Sequence, residues 1–130
     1  MSYNQIGILI GICAVSVLGL IRIKMNTPLL KRIWKSVLLN FFLYTLLLIV
    51  IEIRWEFILE NAKSFDLDNN GFIDGAEVTE EAIRAQNKAT SDTGRNFAFI
   101  TAAFFSLIVS FTIFLTTSVI AYLNTKSNNA

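Results

Sequence analysis

The chain is 130 residues long, 54% hydrophobic and only 16% charged, which is more apolar and less charged than a water-soluble domain ordinarily is. It has no His and one Cys, Cys13, so the commonest metal ligand and general base, an internal disulfide, and thiolate cages for zinc or iron–sulfur clusters are excluded. The formal net charge of +1 hides a separation: all ten acids lie between Glu52 and Asp92 beside Arg54, Lys63, Arg84, Lys88 and the adjacent Arg95, whereas Arg22, Lys24, Lys31, Arg32, Lys35 and Lys126 stand in acid-free sequence.

In chain order, the first element is the uncharged run from Ile6 to Ile21. Prolonged to Ile23 it rises about 27 Å at 1.5 Å per residue, close to the roughly 30 Å of hydrocarbon in a bilayer, and this predicts a membrane span. The start, Met1-Ser2-Tyr3-Asn4-Gln5, lacks the bases of a cleaved signal, so the span is expected to be retained. Ile12 precedes Cys13, which argues against a lipoprotein; Cys13 is expected to be a small buried hydrophobe. Gly7 and Gly11, four apart, offer a close-packing face, with Gly19 nearly in line.

Thr27-Pro28 supplies an N-cap and a proline at the first helical position, and no Gly or Pro follows until Gly71. One helix is therefore predicted from Pro28 to about Phe65. Trp34 and Trp55 are about 31 Å apart on such a helix, which suits two indoles marking the two headgroup layers. Asn40 is the most polar residue well inside this span and is placed to bond a neighbouring helix. Beyond Ile51 the pattern becomes an i, i+4, i+7 stripe of Ile51, Trp55, Ile58/Leu59, Ala62 and Phe65, with Glu52, Glu56, Glu60 and Lys63 elsewhere around the helix. There the helix has left the lipid and become amphipathic.

A short soluble helix is predicted from Gly75 to Ala89, with Val78, Ala82, Ala85 and Ala89 on one side, acids at its start, and Arg84 and Lys88 at its end as the helix dipole favours. The third span runs from about Phe97 to Tyr122, after a cap candidate in Ser91 or Asp92 and an interruption at Gly94, and precedes a polar tail, Asn124 to Ala130. Ala98, Ala102, Ser106 and Ser110 recur every fourth residue along it. Such a small-residue face packs the protein's own helices or meets a different subunit.

The fold class expected is an all-α membrane protein with three transmembrane helices and a hairpin between the second and third. Residues 1–54 hold two spans and a basic loop, 55–92 the extramembrane hairpin, and 93–130 the last span and tail. The basic loop predicts a cytoplasmic connection, hence an extracytoplasmic N-terminus and hairpin and a cytoplasmic C-terminus. No Asp, Glu, Lys or Arg lies in the middle of a span, so no proton or ion-coupled path is expected.

Residues 66–77 read D-L-D-N-N-G-F-I-D-G-A-E, and this segment resembles the calcium loop of the EF-hand family. Calcium is a hard cation that takes six to eight oxygens, and closely spaced carboxylates on a tight loop supply them. The resemblance implies Ca2+ as the ligand, held by the side chains of Asp66, Asp68 and Asn70, the backbone carbonyl of Phe72, Asp74 directly or through a water, and both oxygens of Glu77. Gly71 stands where the family's loop turns sharply, and Ile73 where an apolar residue extends into a short strand against a partner loop. Helical patterns on both sides, with Phe65 in front and Val78 behind, match the family's helix–loop–helix context. The alternative is a solvated Asp/Asn/Gly turn between helices. The family usually pairs its loops, and this chain has one, so the apolar face of Phe65, Ile73 and Val78 is expected to be covered by a second copy, another protein or the membrane face.

The function expected is that of an accessory or stabilising subunit of a larger membrane complex, with the lipid bilayer and another membrane protein or a second copy as partners. A calcium-responsive regulator is the alternative, and a homo-oligomeric pore a third. An enzyme is not expected, because the acidic cluster has the spacing of ion ligands and no nucleophile accompanies it. Neither a nucleic acid nor a small-molecule substrate is indicated.

Overall fold

The computed structural model describes residues 2–21 and 26–128. Five helices follow one another: α1, Tyr3–Ile21; α2, Pro28–Lys63; α3, Glu80–Thr90; α4, Thr93–Asn96; and α5, Ala98–Asn128, with a 3₁₀ turn at Gly75–Glu77 before α3. Among the described residues there is no strand, and α1, α2 and α5 are each long and apolar enough to cross a membrane. Ile23 at the end of the first predicted span, Arg22 and Lys24 in the basic loop, and Asn129 and Ala130 in the tail lie outside the described residues.

α2 starts as expected, with the Thr27 hydroxyl accepting from the Leu30 amide at 3.3 Å and Pro28 opening the first turn. Its 36 residues extend about 54 Å at 1.5 Å each, well beyond one bilayer, so its last turns project with the hairpin. It stops at Lys63, two residues before Phe65, because the ladder tightens: Phe65 bonds back to Ala62 and Asp66 to Lys63, three residues rather than four. α5 runs past Tyr122 to Asn128, taking most of the expected polar tail into the helix. No Gly or Pro interrupts it, and the Thr125 hydroxyl returns to the Ala121 carbonyl at 2.9 Å instead of competing with the helix.

α2 is the central element, with α1 and α5 against it. The small-residue face of α5 is buried in the bundle: Ala98, Ala102, Ser106 and Ser110 are all at most 4% exposed, and Leu48 of α2 is fully buried against Ala98 and Ala102. Ser36 donates to the Ser110 carbonyl at 2.6 Å, and Ser110 donates to Asn40 Oδ1 at 3.4 Å, the interhelical bond expected of Asn40. On the other side Gly7 and Gly11 let α1 close on α2. A Cβ added at Gly7 would stand 2.5 Å from the Tyr44 hydroxyl, and one at Gly11 would collide with Thr45. Gly19 faces open space, so the expected three-glycine face is two glycines long. Trp34 donates to the Leu18 carbonyl at 2.7 Å, tying the described end of α1 to the start of α2. Cys13 departs from expectation: it is exposed on α1, since the buried side of that helix is occupied by Gly7 and Gly11.

The close approach predicts that Gly7→Ala and Gly11→Ala each destabilise the bundle by about 1–3 kcal/mol through overpacking. Gly19→Ala should be neutral or slightly stabilising, because Ala exceeds Gly in helix propensity by up to about 1 kcal/mol. Thermal unfolding of the three variants in one detergent, followed by circular dichroism, separates the two outcomes.

Candidate metal centre

The hairpin is built by α3 folding back on the projecting part of α2. Ile58 of the α2 stripe and Ala82 and Ala85 of α3 are buried, and Trp55, Leu59, Ala62 and Phe65 are half-buried, so the amphipathic faces read from sequence largely meet. Val78 does not join them. The helix begins later than Gly75 because Thr79 is its cap, in extended conformation with its hydroxyl accepting from the Ala82 amide at 3.1 Å; Val78 therefore precedes the helix and is exposed.

Between the two helices the chain turns through left-handed conformations at Asn69 (φ 59°), Gly71 (φ 89°) and Gly75 (φ 52°). Gly71 is the position where a Cβ would add most strain, and Asn is the non-glycine residue that best tolerates this region. The side chains of the loop bind its own amides. Asp66 accepts from Asn70 N at 3.1 Å and Gly71 N at 2.9 Å, Asp68 accepts from Asn70 N at 3.0 Å, and Asn70 Oδ1 accepts from Phe72 N at 2.7 Å. From the far end, Glu77 Oε1 accepts from the amides of Leu67 at 2.7 Å and Asp68 at 3.1 Å. Glu77 thus closes the loop across its mouth.

The result is a convergence of three carboxylates. One oxygen from each of Asp66, Asp68 and Glu77 lies within 4.8 Å of the others, and Glu77 Oε2 is buried with no protein partner. Like charges this close repel by about 1 kcal/mol per pair even in water-like surroundings, and by more where the dielectric is lower. A divalent cation is the species that reverses that sign, and hard carboxylate oxygens suit calcium or magnesium better than a soft metal. These three carboxylates could hold a metal ion. Asn70 adjoins the group through the hydrogen bond its Nδ2 donates to Asp68 Oδ2 at 3.0 Å. Phe72 is 73% exposed. Asp74 stands outside the carboxylate cluster: its carbonyl accepts from Glu77 N at 3.0 Å to form the 3₁₀ turn, and its carboxylate makes no capping bond. Ile73 is half-buried, and no strand forms there among the described residues.

A second polar constellation, at the membrane end of the hairpin, is one that sequence reasoning passed over. Glu52 Oε1 accepts from Ser2 Oγ at 3.3 Å and Asn4 Nδ2 at 2.9 Å, Glu52 Oε2 pairs with Arg95 at 3.4 Å, and Asn4 Nδ2 also donates to the Arg95 carbonyl at 3.1 Å. The Arg95 guanidinium lies 4.3 Å from the Trp55 ring centroid, and Arg54 reaches Asp92 at 3.7 Å. Tyr3 stacks on Phe99 at 5.3 Å beside them. These contacts tie the start of α1, the middle of α2 and the α4–α5 junction together at the base of the hairpin. The available signal was Glu52 and Arg95 at the two span edges on the hairpin side, with a polar Asn4 at the matching depth.

In class, then, the described chain is an all-α protein with three potential membrane-crossing helices and an exposed carboxylate cluster carried on a hairpin between the second and third. No protein-family model, curated protein or solved structure matches it.

Proposed function

We propose that this is a small integral membrane protein whose hairpin binds one Ca2+ in an EF-hand-like loop, and that the calcium-set hairpin serves as an accessory or stabilising subunit's contact with a larger membrane complex. The observation that carries the reading is the convergence of Asp66, Asp68 and Glu77 with one Glu77 oxygen left unpartnered. Glu77 would hold the ion from the α3 side and Asp66 and Asp68 from the α2 side. The ion would therefore lock the angle at which α3 leaves α2. Asn70, the Phe72 carbonyl, Asp74 and water would complete a shell of six to eight oxygens.

The rigid base formed by Glu52, Arg95 and Asn4 supports the same reading, because it would transmit the hairpin's shape to the bundle rather than leave it on a loose tether. Exposed Leu67 and Phe72 at the tip, 77% and 73% accessible, are apolar residues suited to a partner surface. With the basic connection cytoplasmic, the hairpin faces a compartment where calcium is high, and a weak site of roughly 10⁻⁴–10⁻³ M would stay filled as a structural ion. Purification from native membranes in calcium should yield a stoichiometric membrane partner that is released by chelator. A monodisperse chain indifferent to chelator would contradict the subunit reading while leaving metal binding to be measured separately.

A further inference from the structure

The basic end of the bundle carries charge that its own chain does not neutralise. Lys31, Arg32 and Lys35 occupy the first turns of α2, every acid lies from Glu52 to Asp92, and among the described residues these three bases make no ion pair. They also sit at the wrong pole of their helix, since the N-terminus of a helix is its positive end and favours anions. Arg22 and Lys24 belong to the same connection in the sequence. Its positive charge suits an anion from outside the chain.

Beside those bases runs an apolar furrow. A cavity of about 260 Å³ lies between α2 and α5, walled by Ile33, Ser36 and Val37 on one side and Leu107, Phe111 and Phe114 on the other. It adjoins a second cavity of about 530 Å³, with which it shares Asn40 and Leu107, and which continues to Tyr44. Ile33 to Tyr44 is about 17 Å of helix, roughly half the hydrocarbon thickness of a bilayer, the depth of one leaflet. Arg32 lies one turn before Ser36 on α2, and Ser118 continues the α5 spacing of Ser110 and Phe114. Arg32 Nε and Ser118 Oγ are both buried without a hydrogen-bond partner among the described residues. Both can donate, so an acceptor bearing negative charge complements them.

We infer that the α2–α5 furrow binds one anionic phospholipid from the leaflet at the basic end. Its acyl chain occupies the furrow, and its phosphate is held by Arg32 with Lys31 and Lys35 beside it. The inference does not depend on calcium binding by the hairpin.

The test reconstitutes the full chain in nanodiscs of equal parts phosphatidylglycerol and phosphatidylcholine, and counts lipids retained after release into mild detergent by native mass spectrometry. One phosphatidylglycerol per chain should survive in preference to phosphatidylcholine. Arg32→Gln should reduce its retention about tenfold, whereas Lys126→Gln, the same charge change away from the furrow, should not. Val37→Trp, at a lipid-accessible wall position, should also displace the lipid while leaving every charge in place. Equal retention of the two lipids, equal losses in Arg32→Gln and Lys126→Gln, or full retention in Val37→Trp would each overturn the proposal. Helical circular dichroism of each variant establishes that the bundle is intact.

Discussion

Glu77→Gln is expected to weaken calcium binding by the full-length protein about 100-fold or more, on the scale over which ligand charge tunes such sites. The substitution keeps the side chain's length and one carbonyl oxygen, so the bonds that Glu77 Oε1 accepts from Leu67 N and Asp68 N can persist. What it removes is the negative charge and the second anionic oxygen, the buried Oε2 with no protein partner. Without metal the same substitution should be neutral or mildly stabilising, because it relieves repulsion from Asp66 and Asp68. Calorimetric titration with Ca2+, paired with thermal unfolding in chelator, checks both halves. Wild-type affinity in Glu77→Gln would remove Glu77 from the site.

The second large effect concerns the base of the hairpin. Glu52→Ala and Arg95→Ala should each lower stability by about 2–3 kcal/mol, discounted from the roughly 3–5 kcal/mol of fully buried pairs because these side chains keep 12% and 19% of their exposure. Glu52→Ala abandons Arg95, Asn4 and Ser2 together, so it should be the more damaging of the two. Arg95→Ala also loses the stacking on Trp55. The double variant should cost clearly less than the two singles added, since each single leaves a charge unpaired that the double removes. Unfolding in detergent measures this as a double-mutant cycle, and strict additivity would show that the contacts do not act as a unit.

Much of the architecture was legible in the sequence because single residues punctuate it. Thr27-Pro28 marked the start of α2, and the long run without Gly or Pro made it one helix. The four-residue spacing of Ala98, Ala102, Ser106 and Ser110 announced a packing face, and in the structure that face is buried, with Leu48 of α2 against Ala98 and Ala102. Helix ends were less legible. Residues 124–128 are polar, and polarity alone does not end a helix when neither Gly nor Pro intervenes. Val78 carried the right character for the α3 face but lay on the wrong side of the Thr79 cap. Cys13 was read from residue type, yet on a membrane-length helix apolar character says little about which side meets protein and which meets lipid.

The candidate site divides in the same way. Loop spacing named Asp66, Asp68 and Glu77, and the fold brings them together; it also named Asp74, which stays outside their cluster. The Glu52–Arg95–Asn4 constellation had no local pattern to reveal it, because its members are 43 to 91 positions apart and meet only once three helices have packed. Sequence periodicity reports the face of one helix, and contacts across three belong to tertiary structure.

The proposed binding of one calcium ion by the hairpin can be measured. Equilibrium binding of radioactive calcium to the full-length protein in nanodiscs tests it most directly, with the combined variant Asp66→Asn, Asp68→Asn, Glu77→Gln as control. One ion per wild-type chain at millimolar calcium or below, and none above background in the control, is the expected result. Equal uptake by the two proteins, or no saturable uptake by the wild type, would contradict it.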